Sequence, residues 1–157
     1  SDGKGGFADS VVNVNVTPVN DAPTTADQSK TTAEDTALTG KIVATDVDGD
    51  TLSYAFQSQA AHGTVVLNTA TGDYTYTPSK DYNGPDSFTV RVSDGKGGFV
   101  DSVVNVNVTP VNDAPTTADQ SKTTAEDTAL AGKIVASDVD GDTLSYAVKT
   151  GVAHGTL

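Results

Sequence analysis

Asp46, Asp48 and Asp50 place three carboxylates within the five residues Asp46-Val47-Asp48-Gly49-Asp50, and the same string returns as Asp138-Val139-Asp140-Gly141-Asp142. Acids this close repel one another unless a cation lies among them. An all-oxygen donor set with no Cys or His beside it favours a hard divalent ion. Short Asp side chains around a Gly suit the loose coordination of calcium better than the strict octahedron of magnesium. The competing reading is that Asp and Gly are ordinary turn formers between strands. The string is not an EF-hand loop. Counted from Asp46, Gly stands at the fourth place instead of the sixth, and the twelfth is Gln57, or Lys149 in the second copy, where a bidentate Glu is needed. An ion held here takes its remaining ligands from elsewhere in the fold.

Composition narrows what that fold can be. The chain has 157 residues, 36% of them hydrophobic, room for one ordinary domain or two small ones. No Cys is present, which rules out disulfide staples, thiolate metal sites and a cysteine nucleophile. With 21 acids against 9 bases and a net charge of −12, nucleic acid and anionic membrane are poor partners. Only Glu34 and Glu126 are Glu, leaving nineteen Asp among the 21 acids. Asp gathers in turns and ion sites, so the skew points to a loop-rich β protein. No apolar run approaches membrane-spanning length, which argues against direct membrane insertion. Without a signal peptide at Ser1, the chain reads as an interior segment of something longer.

Internal repetition sets the organisation. Ser1-Asp2-Gly3-Lys4-Gly5-Gly6-Phe7 returns as Ser93-Asp94-Gly95-Lys96-Gly97-Gly98-Phe99, an offset of 92 positions that holds to the end of the chain. The main differences are gathered at Phe56–Ala60 against Val148–Val152. A period of this length is a whole domain, and near-identical neighbours make a tandem array. The repeated linker Asn20-Asp21-Ala22-Pro23 and Asn112-Asp113-Ala114-Pro115 sets its phase. Residues 1–18 are then the last strand of a preceding repeat, with alternation over Val11–Thr17. Residues 19–110 are one complete repeat, and residues 111–157 supply the first four strands, A to D, of the next.

Within the complete repeat, alternation and turn residues predict strands A at Gln28–Thr32, B at Ala37–Ala44, C at Thr51–Phe56, D at Thr64–Leu67, E at Tyr74–Thr77, F at Ser87–Val92 and G at Phe99–Thr109. Seven short strands in about ninety residues, with no helix candidate, is the pattern of an all-β, immunoglobulin-like Greek-key sandwich. Tyr82 either fills the tyrosine-corner role of such sandwiches or is a half-buried aromatic in the E–F turn. In this topology the B–C and F–G loops meet at the pole where the chain arrives. Asp46, Asp48, Asp50 and Asp94 therefore face the linker residues Asn20 and Asp21. At the other pole, Glu34 and Asp35 of the A–B turn and Asp81 of the E–F turn lie beside Asn112 and Asp113, next to Asp138, Asp140 and Asp142 of the following repeat. Acids gather at junctions, as bound ions there require.

These pieces together resemble the cadherin-like and VCBS-type tandem Ig-like repeats of large bacterial surface adhesins of the RTX, type I secreted class. The matching stretches are the Val-Asn-Asp-Ala-Pro linker, Glu34–Thr36, Asp46–Tyr54, His62-Gly63-Thr64, Tyr74–Phe88 and Ser93–Gly98. The resemblance implies calcium at the junctions. An acid near the first strand, a linker Asn/Asp pair and an Asp-x-Asp loop fall on Glu34, Asn112, Asp113, Asp138 and Asp140, and upstream on Asn20, Asp21, Asp46, Asp48 and Asp94. The linker is shorter and less acidic than that of true cadherins, which points to one ion per junction and not three.

Other chemistry finds less support. His62 and His154 are one repeat position, so no second nitrogen ligand is available for zinc. Nothing places a Ser, His and Asp together, and no catalysis is expected. Asn15-Val16-Thr17 and Asn107-Val108-Thr109 are glycosylation sequons by pattern only, each on a predicted strand. The expected function is a calcium-stiffened spacer on the bacterial cell surface or in a secreted fibre. Its partners are neighbouring repeats of the same polypeptide, with lateral association of fibres a further possibility. The alternatives are a glycan- or protein-binding module, or a spacer within a secreted polysaccharide-degrading enzyme.

Overall fold

Period-two alternation of Val, Tyr and Phe against Thr, Asn and Ser makes half-buried strands, and such strands become stable by packing their apolar faces together. In the computed structural model, which describes residues 3–7 and 9–156, every regular element among the described residues is a strand. The strands are β1 (Thr24–Thr25), β2 (Gln28–Ala33), β3 (Leu38–Lys41), β4 (Ala44–Thr45), β5 (Ser53–Ser58), β6 (Gly63–Leu67), β7 (Asp73–Pro78), β8 (Gly84–Ser93), β9 (Phe99–Thr109), β10 (Thr116–Thr117) and β11 (Ala136–Ser137).

One sheet has the order β2-β9-β8-β5 and the other β3-β7-β6. All ladders are antiparallel except β2 with β9, which run parallel from Gln28↔Val104 to Ala33↔Thr109. The faces turned together bury Ile42, Tyr54, Tyr74, Tyr76, Phe88, Val90, Val92, Val104, Val106 and Val108. Phe88 is the hub. Tyr74 and Phe56 meet it edge-on, with centroids at 5.2 and 6.5 Å, and Tyr76 lies nearly parallel to it at 6.4 Å. Two glycines make room for the tyrosines: a Cβ on Gly40 would stand 2.3 Å from the Tyr74 ring, and one on Gly63 2.5 Å from that of Tyr76.

One expected strand needs correction, and two stretches assigned to incomplete repeats stand without the strands that would complete them. The single strand expected over 37–44 is broken at Ile42 and Val43, because β3 pairs with β7 whereas β4 leaves that sheet to pair with β1. The alternating stretch 11–17 forms no strand here, and its valines are exposed although Val104, Val106 and Val108, the same residues one repeat later, are buried. A strand exists only where neighbours accept its hydrogen bonds, and among the described residues no strand pairs with this stretch. Of the four strands expected over 111–157, only the β10–β11 ladder forms among the described residues, the local equivalent of β1–β4. Tyr82 takes the second of its two roles: its hydroxyl donates to the Pro85 carbonyl at 2.7 Å, downstream in its own turn, and its ring stacks on His62 at 4.2 Å.

Candidate metal centres at the two poles

The Asp-x-Asp-x-Asp turn organises itself. Asp46 Oδ1 accepts from the backbone N–H of Asp48 at 3.0 Å and of Asp50 at 3.2 Å. Asp138 does the same for Asp140 and Asp142 at 3.1 and 3.3 Å, although few of the strands that frame Asp46 form around it. The turn is therefore a product of its own five residues. Each linker clips to its turn in the same way: the Asp21 N–H donates to Asp48 Oδ2 at 2.8 Å, and the Asp113 N–H to Asp140 Oδ2 at 2.7 Å.

At the upstream pole the loop between β8 and β9 closes over this turn. Asp94 is buried, accepts from Asn20 Nδ2 at 2.8 Å and from the N–H groups of Lys96 and Gly98. The Asn20 amide first, and the N–H groups of Lys96, Gly98 and Gly97 with it, hold the Asp94 carboxyl below the usual carboxylate range against the opposing effect of burial. Gly98 is required for this cradle, since a Cβ there would stand 2.2 Å from Asp94 Oδ2. Oxygens of Asp46, Asp50 and Asp94 come within 4.8 Å of one another.

At the downstream pole, Glu34 is 3% exposed and its Oε1 accepts from the Val111 N–H. Asp35 and Asp81, which cap the β2–β3 and β7–β8 turns, both adopt left-handed backbone with φ of 56°, and the Asp81 N–H donates to Asp35 Oδ1 at 3.3 Å. Two carboxylate groups form here, Glu34 with Asp113 and Asp140, and Asp35 with Asp81 and Asp113, each within 4.8 Å. Asp113 belongs to both. Burial first, then the charges of Asp81, Asp140, Asp35 and Glu34, push its carboxyl above the usual range. Asp138, Asp140 and Asp142 form a further such group. Asn112 donates to the Asp113 carbonyl at 3.0 Å.

Whether these residues suit a hard divalent ion is answered by their unsatisfied oxygens. Among the described residues, the buried side-chain polar atoms without a hydrogen-bond partner are Glu34 Oε2, Asp46 Oδ2 and Asp50 Oδ2. All three are carboxylate oxygens, and they are divided between the two poles. A buried anionic oxygen without a partner is costly, and a cation ligated by oxygen removes that cost, so the donor set fits calcium.

The sequence did not single out two lysines at these clusters. Lys96 Nζ lies 2.6 Å from Asp50 Oδ1, and Lys80 Nζ 2.7 Å from Asp81 Oδ2. The only signal was their position, each within two residues of a candidate acid in a chain short of bases. Nor did it single out Asp86, a buried carboxylate that accepts from the N–H groups of Ala61, His62 and Ser87 and from the Tyr76 hydroxyl, all within 2.8–2.9 Å. Asp86 ties the β5–β6 loop to the core and has no part in either pole.

A family model described as bacterial Ig domain matches residues 20–107 and 112–157. Among solved structures, human protocadherin-24 EC1-2 is 27% identical over 62% of this chain and 50% of its own, with a TM-score of 0.51. Drosophila N-cadherin EC1-4 is 19% identical over 61% of this chain and 27% of its own, TM-score 0.47. The endo-fucoidan hydrolase MfFcnA4 from glycoside hydrolase family 107 is 22% identical over 62% of this chain and 15% of its own, TM-score 0.47. The aligned part is thus half or less of each of those chains. No curated protein matches the sequence.

Proposed function

Because the chain belongs to the bacterial Ig domain family, we propose that it is a calcium-rigidified structural spacer repeat of an extracellular bacterial adhesin or surface fibre, on the cell surface or secreted. The observation that carries this reading is the set of partnerless buried oxygens on Glu34, Asp46 and Asp50. At the downstream junction Glu34, Asp113 and Asp140 hold the ion, flanked by Asp35, Asp81, Asn112, Asp138 and Asp142. At the upstream junction Asp46, Asp50 and Asp94 hold it, with Asn20, Asp21 and Asp48 closing the linker onto the turn.

Calcium supplies positive charge and a coordination shell loose enough for carboxylates from two successive repeats. The chain's own residues do the rest. Asp46 and Asp138 shape their turns, Asp48 and Asp140 fix the linker, and Glu34 ties the β2–β3 turn to the outgoing chain through Val111. Without the ion, the acids around Asp113 repel across a short linker and the joint flexes. Extracellular modules bind calcium at about 10⁻⁴ to 10⁻³ M, so such an array is pliable in a low-calcium cytoplasm and stiff outside. Small-angle scattering on a tandem of three repeats tests this. The maximum dimension should fall when chelator replaces calcium, and an unchanged profile refutes the reading.

A further inference from the structure

Each pole carries one lysine placed against its acids. Lys96 Nζ contacts Asp50 Oδ1 at 2.6 Å, with Asp46 and Asp48 in the same turn, and the Asp50 side chain is only 12% exposed. Lys80 Nζ is shared by both oxygens of Asp81, at 2.8 and 2.7 Å, and the Asp81 side chain is 22% exposed. Asp81 belongs to the group with Asp35 and Asp113 that adjoins Glu34. An ion pair between two solvated side chains does little. Here the acidic partner is largely withdrawn from water and sits among other acids, so a tethered ammonium is a large part of its counter-charge. Neither lysine completes the neutralisation, since Asp50 Oδ2, Asp46 Oδ2 and Glu34 Oε2 stay without a partner.

Building on the calcium reading, we infer that Lys96 and Lys80 are resident counter-ions of the two acid clusters, which hold the carboxylates together when metal is absent and compete with the incoming divalent ion. Two consequences follow from one charge. Within each repeat the metal-free acids stay gathered while the joint between repeats still flexes, and the calcium threshold is raised because each ion must outcompete an ammonium already in place. The lysines thereby tune the concentration at which the array stiffens.

Calorimetric calcium titration and thermal melting of the whole chain test this with K96M, K80M and the control K41M, whose lysine pairs with Asp73 at 3.8 Å outside both clusters. The calcium dissociation constant should fall about tenfold in each pole variant, the effect of one unit charge on a divalent ion a few ångströms away in a watery setting. It should not change in K41M. In chelator, K96M and K80M should melt below the parent chain, and calcium should erase the deficit. Unchanged affinity in both pole variants, or unchanged metal-free melting, overturns the assignment. If the parent chain takes up no calcium, the spacer reading fails instead, and metal-free melting alone decides the lysines: a lower melting point upholds them and an equal one overturns them.

Discussion

Replacing Glu34 by Gln should invert the order of stability between two buffers. The side chain is 3% exposed, one oxygen accepts from the Val111 N–H, and the other has no partner beside Asp113 and Asp140. Gln keeps the acceptor toward Val111 and puts a neutral, donating amide where the orphaned anionic oxygen was. Leaving a buried acceptor unsatisfied costs about 1–3 kcal/mol, so in chelator E34Q should gain part of that. For a domain of this size, each kcal/mol moves the melting temperature by roughly 4–8 °C. In calcium the sign reverses. Millimolar calcium over a site with a dissociation constant of about 10⁻⁴ M stabilises by about 1.4 kcal/mol, and a neutral amide forfeits most of it. Circular-dichroism melts in EDTA and in millimolar calcium should therefore place E34Q above the parent chain in the first and below it in the second. A variant that melts lower by the same amount in both buffers would show that Glu34 is a structural hydrogen-bond acceptor and that its second oxygen was never short of a partner.

Asp86 carries a pH dependence of its own. Burial alone raises its carboxyl, but the N–H groups of Ala61, His62 and Ser87 and the Tyr76 hydroxyl outweigh burial and hold it below the usual value. A folded value below the unfolded one gives stability that is present above about pH 4 and lost as pH falls through the folded value. D86N should thus cost about 2–4 kcal/mol at neutral pH by urea unfolding, with the gap narrowing in acid. A gap of constant size down to acid pH would count against it. Val108 and Val16 hold the same place in successive repeats, yet Val108 is 2% exposed and Val16 84%. V108A should cost about 1–3 kcal/mol and V16A less than about 0.5. Equal costs would mean that the upstream segment packs as β9 does.

Much of this was legible because period-two alternation reports a face directly. Tyr74 and Tyr76, Phe88, Val90 and Val92, and Val104, Val106 and Val108 of β9 all point where their spacing says, and each is buried. The gathering of acids at the poles was legible for a related reason: once the strand order is known, loop position follows. What spacing cannot give is the environment that a partner creates. The stretch 11–17 has the pattern of β9 and none of its neighbours. Ile42 looks like the middle of a strand but sits where the chain changes sheets, its N–H donating to the Gly72 carbonyl at 2.9 Å. Asp86 reads as one more turn acid, because three of its four donors, on Ala61, His62 and Tyr76, are groups that only the folded chain brings near. Lys80 and Lys96 were hidden among ordinary surface lysines for the same reason.

The parallel pairing of β2 with β9 decides how a repeat bears a load. The chain arrives beside Gln28 at one pole and departs beyond Thr109 at the other, and between them six register pairs join the first long strand to the last. A tensile pull on the two ends slides these strands along each other, so the ladder's hydrogen bonds share the force and must give way together instead of peeling singly. Tension thus crosses each sandwich along one short, direct seam, while the aromatic interior is left out of the path.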